Sequence, residues 1–374
     1  MSAADEHLVP EPLTLAEACR LFAPFDKEPA IAVAVSGGPD STALLWLAAQ
    51  WRGSRTSGPS LLSLTVDHGL RGESAGEAKA VQDFAGRLAV PHRILRWNGP
   101  KPATGIQEAA RDARYALLAE AAREAGATCV MTAHTLDDQA ETVLLRLLRG
   151  SGPAGLQAMA PISAYPGASD LLLARPFLEV SKARLIATLR HAGIPFAEDP
   201  SNRDPRHTRP RLRALMPTLA KEGLTAARLA VLSKRLQRAE SALRLCVAQA
   251  SEQVSLAPWG EGHRIAFDRQ RFARLPEEIA CRLLGQAIAH VGDEGPVELG
   301  KLETMFDALA LHAMEKPDVA FRRTLAGAVV TLKRSELVVE RAPPRRTPAK
   351  RPAERGISAL TTPGNDPLGR SGNR

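Results

Sequence analysis

Short β-rich runs alternate with helix-suited segments through the first half of this chain, and that rhythm constrains the fold more than any other feature. The runs are 30–35 (AIAVAV), 61–66 (LLSLTV), 92–97 (HRILRW), 128–133 (TCVMTA) and 171–174, each followed by a stretch patterned for a helix. Crossovers of this length place successive strands parallel, so an α/β fold with helices on both faces of a parallel sheet is predicted. Ligands of such sheets bind outside the carboxyl ends of the strands, so chemistry-bearing residues are expected just after each strand.

The rhythm stops near Pro217. A long Ala/Leu/Arg pattern over 219–253, with apolar Leu229, Leu232, Leu236 and Leu243, predicts a separate helical module at 219–255. Beyond it, 256–341 mixes short strands (HRIAF, AVVTL, ELVVE) with a helix at 276–291, and reads as a small mixed α/β region without a chemistry-bearing motif. Residues 342–374 are rich in Pro and Gly and are expected to be disordered, while 1–29 read as an extension preceding a catalytic domain at 30–218.

Charge narrows the partners. Forty-nine Lys+Arg against forty-one Asp+Glu leave +8, and the surplus is concentrated: from Arg203 to Arg244 eleven Lys/Arg stand against Asp204, Glu222 and Glu240. That segment is a candidate polyanion surface, with a solvated helical face as the plainer alternative. No stretch approaches the ~18–20 apolar residues of a membrane span. The start carries Asp5, Glu6 and Glu11 in place of a basic region and apolar run, so no secretory signal is read and a cytoplasmic location is expected. Cys19, Cys129, Cys246 and Cys281 form no C-x-x-C pair, which argues against a zinc ribbon, an iron–sulfur cluster or a disulfide framework.

Directly after the first strand comes Ser36-Gly37-Gly38-Pro39-Asp40-Ser41, then an apolar helix. Two glycines permit positive φ and close backbone approach, while N–H groups and the helix dipole supply positive potential for a phosphate. Ser36 and Ser41 add hydroxyl donors. Neither G-x-x-x-x-G-K-[ST] nor G-x-G-x-x-G is present, which disfavours a Walker-type NTPase and a dinucleotide-binding enzyme.

After the fourth strand, His134 is followed by Asp137, Asp138 and Glu141 at the opening of a helix. Carboxylates there are favoured by the helix dipole whatever else they do. Three acids with a strand-end His exceed what capping needs, and suit either a Mg²⁺ ion bridging phosphate oxygens or the ammonium groups of an amino acid. The spacing leaves those two roles open. Asp67, His68 and Arg71 follow the second strand, and Arg111 and Arg114 share a helix face after the third, where a guanidinium can stabilise a transferring phosphate.

SGGPDS, VDHGLR, EAARDARY, HTLDDQAETVLLRLLRGSGPAGL, RPFLEVSKARL and EDPSNRDPRHTRPRLRALMP occur in the order found in tRNA(Ile)-lysidine synthases, a resemblance covering about 31–217. SGGPDS resembles the pyrophosphate-binding loop of the N-type ATP pyrophosphatases. The resemblance implies a Rossmann-like PP-loop ATPase domain acting on ATP with Mg²⁺, free L-lysine and an isoleucine tRNA with a CAU anticodon; it leaves a homodimer open. It implies that cytidine O2 attacks the α-phosphate of ATP, pyrophosphate leaves, and the lysine ε-amine then displaces AMP from C2. On that basis Ser36, Gly37, Gly38, Pro39, Asp40, Ser41 and His134 are expected on ATP and Asp40 and Asp138 near metal. Arg111 or Arg114 is expected on the transferring phosphate and Asp137 or Glu141 on lysine. One departure is visible: the family's R-N-x-x-R is Arg209-Pro210-Arg211-Leu212-Arg213 here, so a contact from that Asn is lost.

Three other readings stand beside this one. A tRNA thiolase of the same loop family would need paired cysteines, and a glutamine-dependent synthetase would need an amidotransferase domain; neither is recognisable. A catalytically silent RNA-binding module is opposed by the intact loop and acids.

Overall fold

The predicted alternation is realised in the computed structural model, which describes residues 10–69, 72, 74–99, 101–102, 104–197, 208–260, 264–316 and 319–343. Arg71, the Asp199-Pro200-Ser201-Asn202 block, Arg203, Arg206 and the tail beyond Pro343 lie outside the described residues. After α1 (Leu15–Phe22) the chain runs β1 (Ala30–Ala34), α2 (Pro39–Gly53), β2 (Ser60–Asp67), α3 (Ser74–Arg87), β3 (His92–Arg96) and α4 (Ile106–Glu124). It continues through β4 (Cys129–Met131), α5 (Leu136–Leu148), α6 (Pro153–Leu156), β5 (Ile162–Tyr165), β6 (Ala168–Ala174) and α7 (Lys182–His191).

The strands lie in the order β3-β2-β1-β4-β6-β5, with every neighbouring pair parallel except the β5/β6 hairpin. β1 is apolar throughout because both its faces are covered. Its Ile31 and Val33 join a core with Phe22, Trp51, Phe177 and Leu185, while Ala30 and Ala32 point oppositely into one with Tyr115, Leu118, Tyr165 and Leu173. The period of two along the strand thus separates the two helix layers.

Two helices follow, α8 (Thr208–Lys221) and α9 (Ala226–Val254). The boundary expected at 218/219 falls inside α8, which continues through Pro217, and the chain turns at 222–225 instead. An interior Pro removes one helix hydrogen bond. Burying Leu212, with Met216 and Leu219 beside it, against Ala140, Val143 and Leu144 of α5 and Leu229 of α9 offsets that loss. The helices expected to stand apart therefore share a core with α5. Pro210 sits in the first turn of α8, where its missing N–H has no helix partner in any case.

Residues 155–159 tie α5 to α9. Gln139 donates to the Met159 carbonyl (2.7 Å) and accepts from the Met159 N–H (2.9 Å), and Arg146 donates to the carbonyls of Gly155 and Ala158. From α9, Ser233 and Gln237 both donate to the Gln157 carbonyl.

The chain divides into two compact units after Ser251. The second contains β7 (Arg264–Asp268), α10 (Arg269–Ala273), α11 (Glu277–Val291), α12 (Leu299–Glu315), β8 (Phe321–Leu325), β9 (Ala328–Leu332) and β10 (Glu336–Arg341). Its antiparallel sheet has the order β7-β10-β9-β8, and α11 buries Leu283, Leu284 and Ile288. Three of these strands and α11 match the expected mixed region; α10, α12 and β8 were not foreseen. Among the described residues, no helix is long and apolar enough to cross a membrane.

Candidate active site

A crevice of about 550 Å³ opens at the carboxyl ends of β1, β2 and β4, bordered by α4 and by the starts of α2, α5 and α7. Its floor is the turn between β1 and α2. Gly37 takes φ +87°, a conformation L side chains rarely adopt, and a Cβ there would also lie 3.3 Å from Val81 Cγ2. The turn is held from several sides: the Ser36 N–H donates to Ser41 Oγ (3.1 Å), Ser41 Oγ donates to the Gly38 carbonyl (3.1 Å), and the Ala197 N–H donates to the Gly37 carbonyl (3.0 Å). Pro39 occupies the first position of α2, so the helix opens directly onto the crevice.

Asp40 is the loop's carboxylate. Its Oδ2 accepts from Lys182 Nζ at 3.0 Å, while Oδ1 is buried with no hydrogen-bond partner. Burial pushes its carboxyl above the ordinary value, opposed by Lys182 and reinforced by Asp138 and Asp137. An anion so placed gains from a cation.

The acids of α5 have distinct jobs. Asp138 lines the crevice and also closes a capping box, its Oδ2 accepting from the Thr135 N–H (2.8 Å). Asp137 accepts from the backbone N–H of Lys182 (2.7 Å), so it pins the start of α7 and does not line the crevice. Glu141 is only 2 % exposed and is clasped by Arg213 through Nε (2.7 Å) and Nη2 (3.2 Å). Its carboxylate is therefore spent on an arginine that does line the crevice, and burial pushes its pKa up against the pull of Arg213. Asp137 or Glu141 was expected on lysine; the structure engages both carboxylates elsewhere.

The other expected residues converge. Ser36, Gly38, Pro39, Ser41, Arg111, Arg114 and His134 all line the crevice, whereas Gly37 shapes the turn behind it. Arg111 lies over the Tyr115 ring at 4.9 Å and donates to its hydroxyl (3.0 Å); Arg114 lies over the same ring at 5.7 Å. Tyr115 thus presents two guanidinium groups as a fixed pair. His134 contacts Thr132 Oγ1 (2.9 Å), and burial, with Arg175 and Arg114 nearby, takes its pKa down to about 4 despite Asp138. It is neutral at physiological pH.

Lys182, Arg209 and Arg213 also line the crevice and were not singled out as site residues from the sequence. Lys182 follows β6, so the strand-end rule could have found it; the two arginines reach the site from α8. With them the crevice carries five cations against Asp40, Glu77 and Asp138, a balance suited to a polyphosphate. None of the four cysteines lines it.

Comparison with known proteins agrees with this geometry. Residues 13–219 match the family model described as a PP-loop domain. A tRNA(Ile)-lysidine synthase of a Bradyrhizobium species is 55% identical over 355 residues, covering 92% of this chain and 98% of that protein. One of Rhodopseudomonas palustris is 54% identical over 340 residues, with 90% and 97% covered. Among solved structures, the U34-tRNA thiolase NcsA from Methanococcus maripaludis, with its [4Fe-4S] cluster, superposes with a TM-score of 0.50 at 16% identity, covering 59% of this chain and 79% of that one, a likeness of fold. Matched over more than half its length by the family model, and spanning its relatives almost end to end, the chain belongs to the PP-loop proteins and, within them, to the tRNA(Ile)-lysidine synthase family.

Proposed function

We propose that this chain joins the ε-amine of free lysine to C2 of the wobble cytidine in a CAU-anticodon isoleucine tRNA, converting ATP to AMP and pyrophosphate. The observation that carries the reading is the SGGPDS turn with Asp40 beside Lys182, on the floor of a crevice rich in cations. Cytidine O2 attacks the α-phosphorus, the bond to the β-phosphate oxygen breaks, and pyrophosphate leaves toward the turn between β1 and α2. Arg111 and Arg114 face the phosphorus under attack, where fixed guanidinium groups stabilise the charge that develops. The lysine amine then attacks C2, and the former O2 departs with AMP.

The donor set fits a divalent cation. Mg²⁺ commonly takes one or two carboxylates and completes its shell with phosphate oxygens and water, and the partnerless Oδ1 of Asp40 is such a ligand, with Asp138 on the same crevice. Bound there, the ion would offset charge on the leaving pyrophosphate. Asp137 and Glu141 do not line the crevice, and of the acids that do, Asp138 or Glu77 is assigned to the ammonium groups of lysine. The basic faces of α8 and α9 supply a docking surface for the tRNA backbone, and such a substrate implies a cytoplasmic setting.

The test is incubation with ATP, Mg²⁺, radiolabelled lysine and unmodified CAU-anticodon isoleucine tRNA, with methionine tRNA as control. Label in the isoleucine tRNA alone is expected. Release of AMP and pyrophosphate without lysine label would reject lysine as the nucleophile.

A further inference from the structure

The turn between β1 and α2 lacks the lysine that a Walker loop offers to a triphosphate. The crevice holds a lysine beside the turn nonetheless, delivered from α7. Lys182 Nζ sits 3.0 Å from Asp40 Oδ2, while Asp40 Oδ1 is buried without a partner. Its backbone N–H is fixed to Asp137 of α5 at 2.7 Å. The main chain at Lys182 is thus anchored independently of any ligand, and the four-carbon stem is the part free to swing. The neighbouring cations differ: Arg213 is clasped by Glu141, and Arg111 and Arg114 lean on Tyr115. Lys182 is held by the turn's own carboxylate.

Building on the reading that ATP is cleaved to AMP and pyrophosphate here, we propose that the Asp40–Lys182 pair is a counter-ion exchange. In the ligand-free site Lys182 neutralises Asp40, where a divalent cation would otherwise sit. When the nucleotide enters with its metal, Asp40 passes to the metal and the Lys182 ammonium moves to the phosphates that depart as pyrophosphate. The exchange keeps Asp40 compensated at every stage, which matters for a carboxylate whose burial opposes its charge. It also couples two events: metal and lysine compete for Asp40 until a polyphosphate gives the lysine another partner.

Competition makes a prediction that a merely structural lysine does not. In Lys182→Met, Mn²⁺ binding to the nucleotide-free protein, read by electron paramagnetic resonance, is expected to tighten on the order of tenfold, a usual size for coupling between sites. In the same variant the affinity for inorganic pyrophosphate falls, and turnover drops by about a hundredfold, as when one donor to a developing anion is lost. Lys182→Arg, which keeps the charge, retains weak Mn²⁺ binding and part of the pyrophosphate affinity. Asp40→Asn abolishes the Mn²⁺ signal. Mn²⁺ affinity that stays equal or weakens in Lys182→Met, or pyrophosphate affinity that does not change, overturns the exchange. If the metal and pyrophosphate responses appear as expected while the parent protein cleaves no ATP with any tRNA, the exchange stands and the proposed reaction is what fails.

Discussion

Replacing Glu141 with Gln separates what its ion pair does for folding from what it does for the crevice. Withdrawing a carboxylate from water costs several kcal/mol even after relaxation. Two charge-assisted hydrogen bonds from Arg213 return about 1.5–3 kcal/mol each, toward the lower figure because the Arg213 side chain is 43% exposed and screened. The two sides nearly cancel, and the raised pKa of Glu141 shows desolvation to be the larger. A carboxyl raised in the folded state contributes stability that is full below its unfolded pKa and is lost as pH rises through the folded one. Gln has no charge to bury, so Glu141→Gln should unfold within about 1 kcal/mol of the parent at pH 7. Its single acceptor leaves one guanidinium bond unmade, and about 1.5 kcal/mol of lost placement corresponds to a decline in kcat/KM of about tenfold. Denaturant unfolding and steady-state kinetics of the same preparation read both quantities. A stability loss above about 3 kcal/mol would show the pair to be net glue, and unchanged kcat/KM would show that the position of Arg213 is immaterial.

Gly37→Ala places a side chain at φ +87° and 3.3 Å from Val81; a loss of about 1–3 kcal/mol in stability and a much weaker ATP affinity are expected, measured by thermal unfolding and nucleotide titration. His134 is held neutral, with a pKa of about 4 against the ordinary 6.5, so the unfolded chain takes up its proton first and stability falls as pH drops from about 6.5 toward 4. His134→Gln should flatten that part of the stability–pH curve, and an unaltered slope would contradict the assignment. Lys234, Arg235 and Arg238 border one shallow depression on α9; changing all three to Ala should weaken tRNA binding and reduce its dependence on log salt by about one per phosphate contact removed, measured by filter binding over a salt series.

Much of the fold was legible because its strands advertise themselves. β1 is buried on both faces and reads as an unbroken apolar run, and the glycine turn behind it has few other uses. β5 is different: Ile162–Tyr165 is an edge strand whose antiparallel pairing is dictated by β6 and by the tight turn between them, not by its own four residues. α8 was hidden by Pro217, since a local breaker outweighs in sequence the tertiary packing that overrides it. The strand-end rule brought Asp40, Arg111, Arg114, His134 and Asp138 to one crevice. Periodicity could place Asp137 and Glu141 on a helix, yet it could not name their partners, which arrive from 45 and 72 residues away. Lys182 went unassigned although it follows β6, because a lysine opening a helix carries no motif beyond that position.

The bridge at 155–159 is recognised almost wholly through its main chain, and this gives the segment an uneven tolerance to substitution. Gln139, Arg146, Ser233 and Gln237 grip carbonyls and an N–H that every residue but proline can present. A saturation scan should therefore find the gripping side chains intolerant and most gripped positions permissive. Gly155 is one exception, because a Cβ there would come within 2.7 Å of the Ser151 Cβ, and Ala158, at φ +54°, is another. Natural or engineered variation in this stretch can accumulate without disturbing the register between the helix that carries the acids and the helix that carries the basic face.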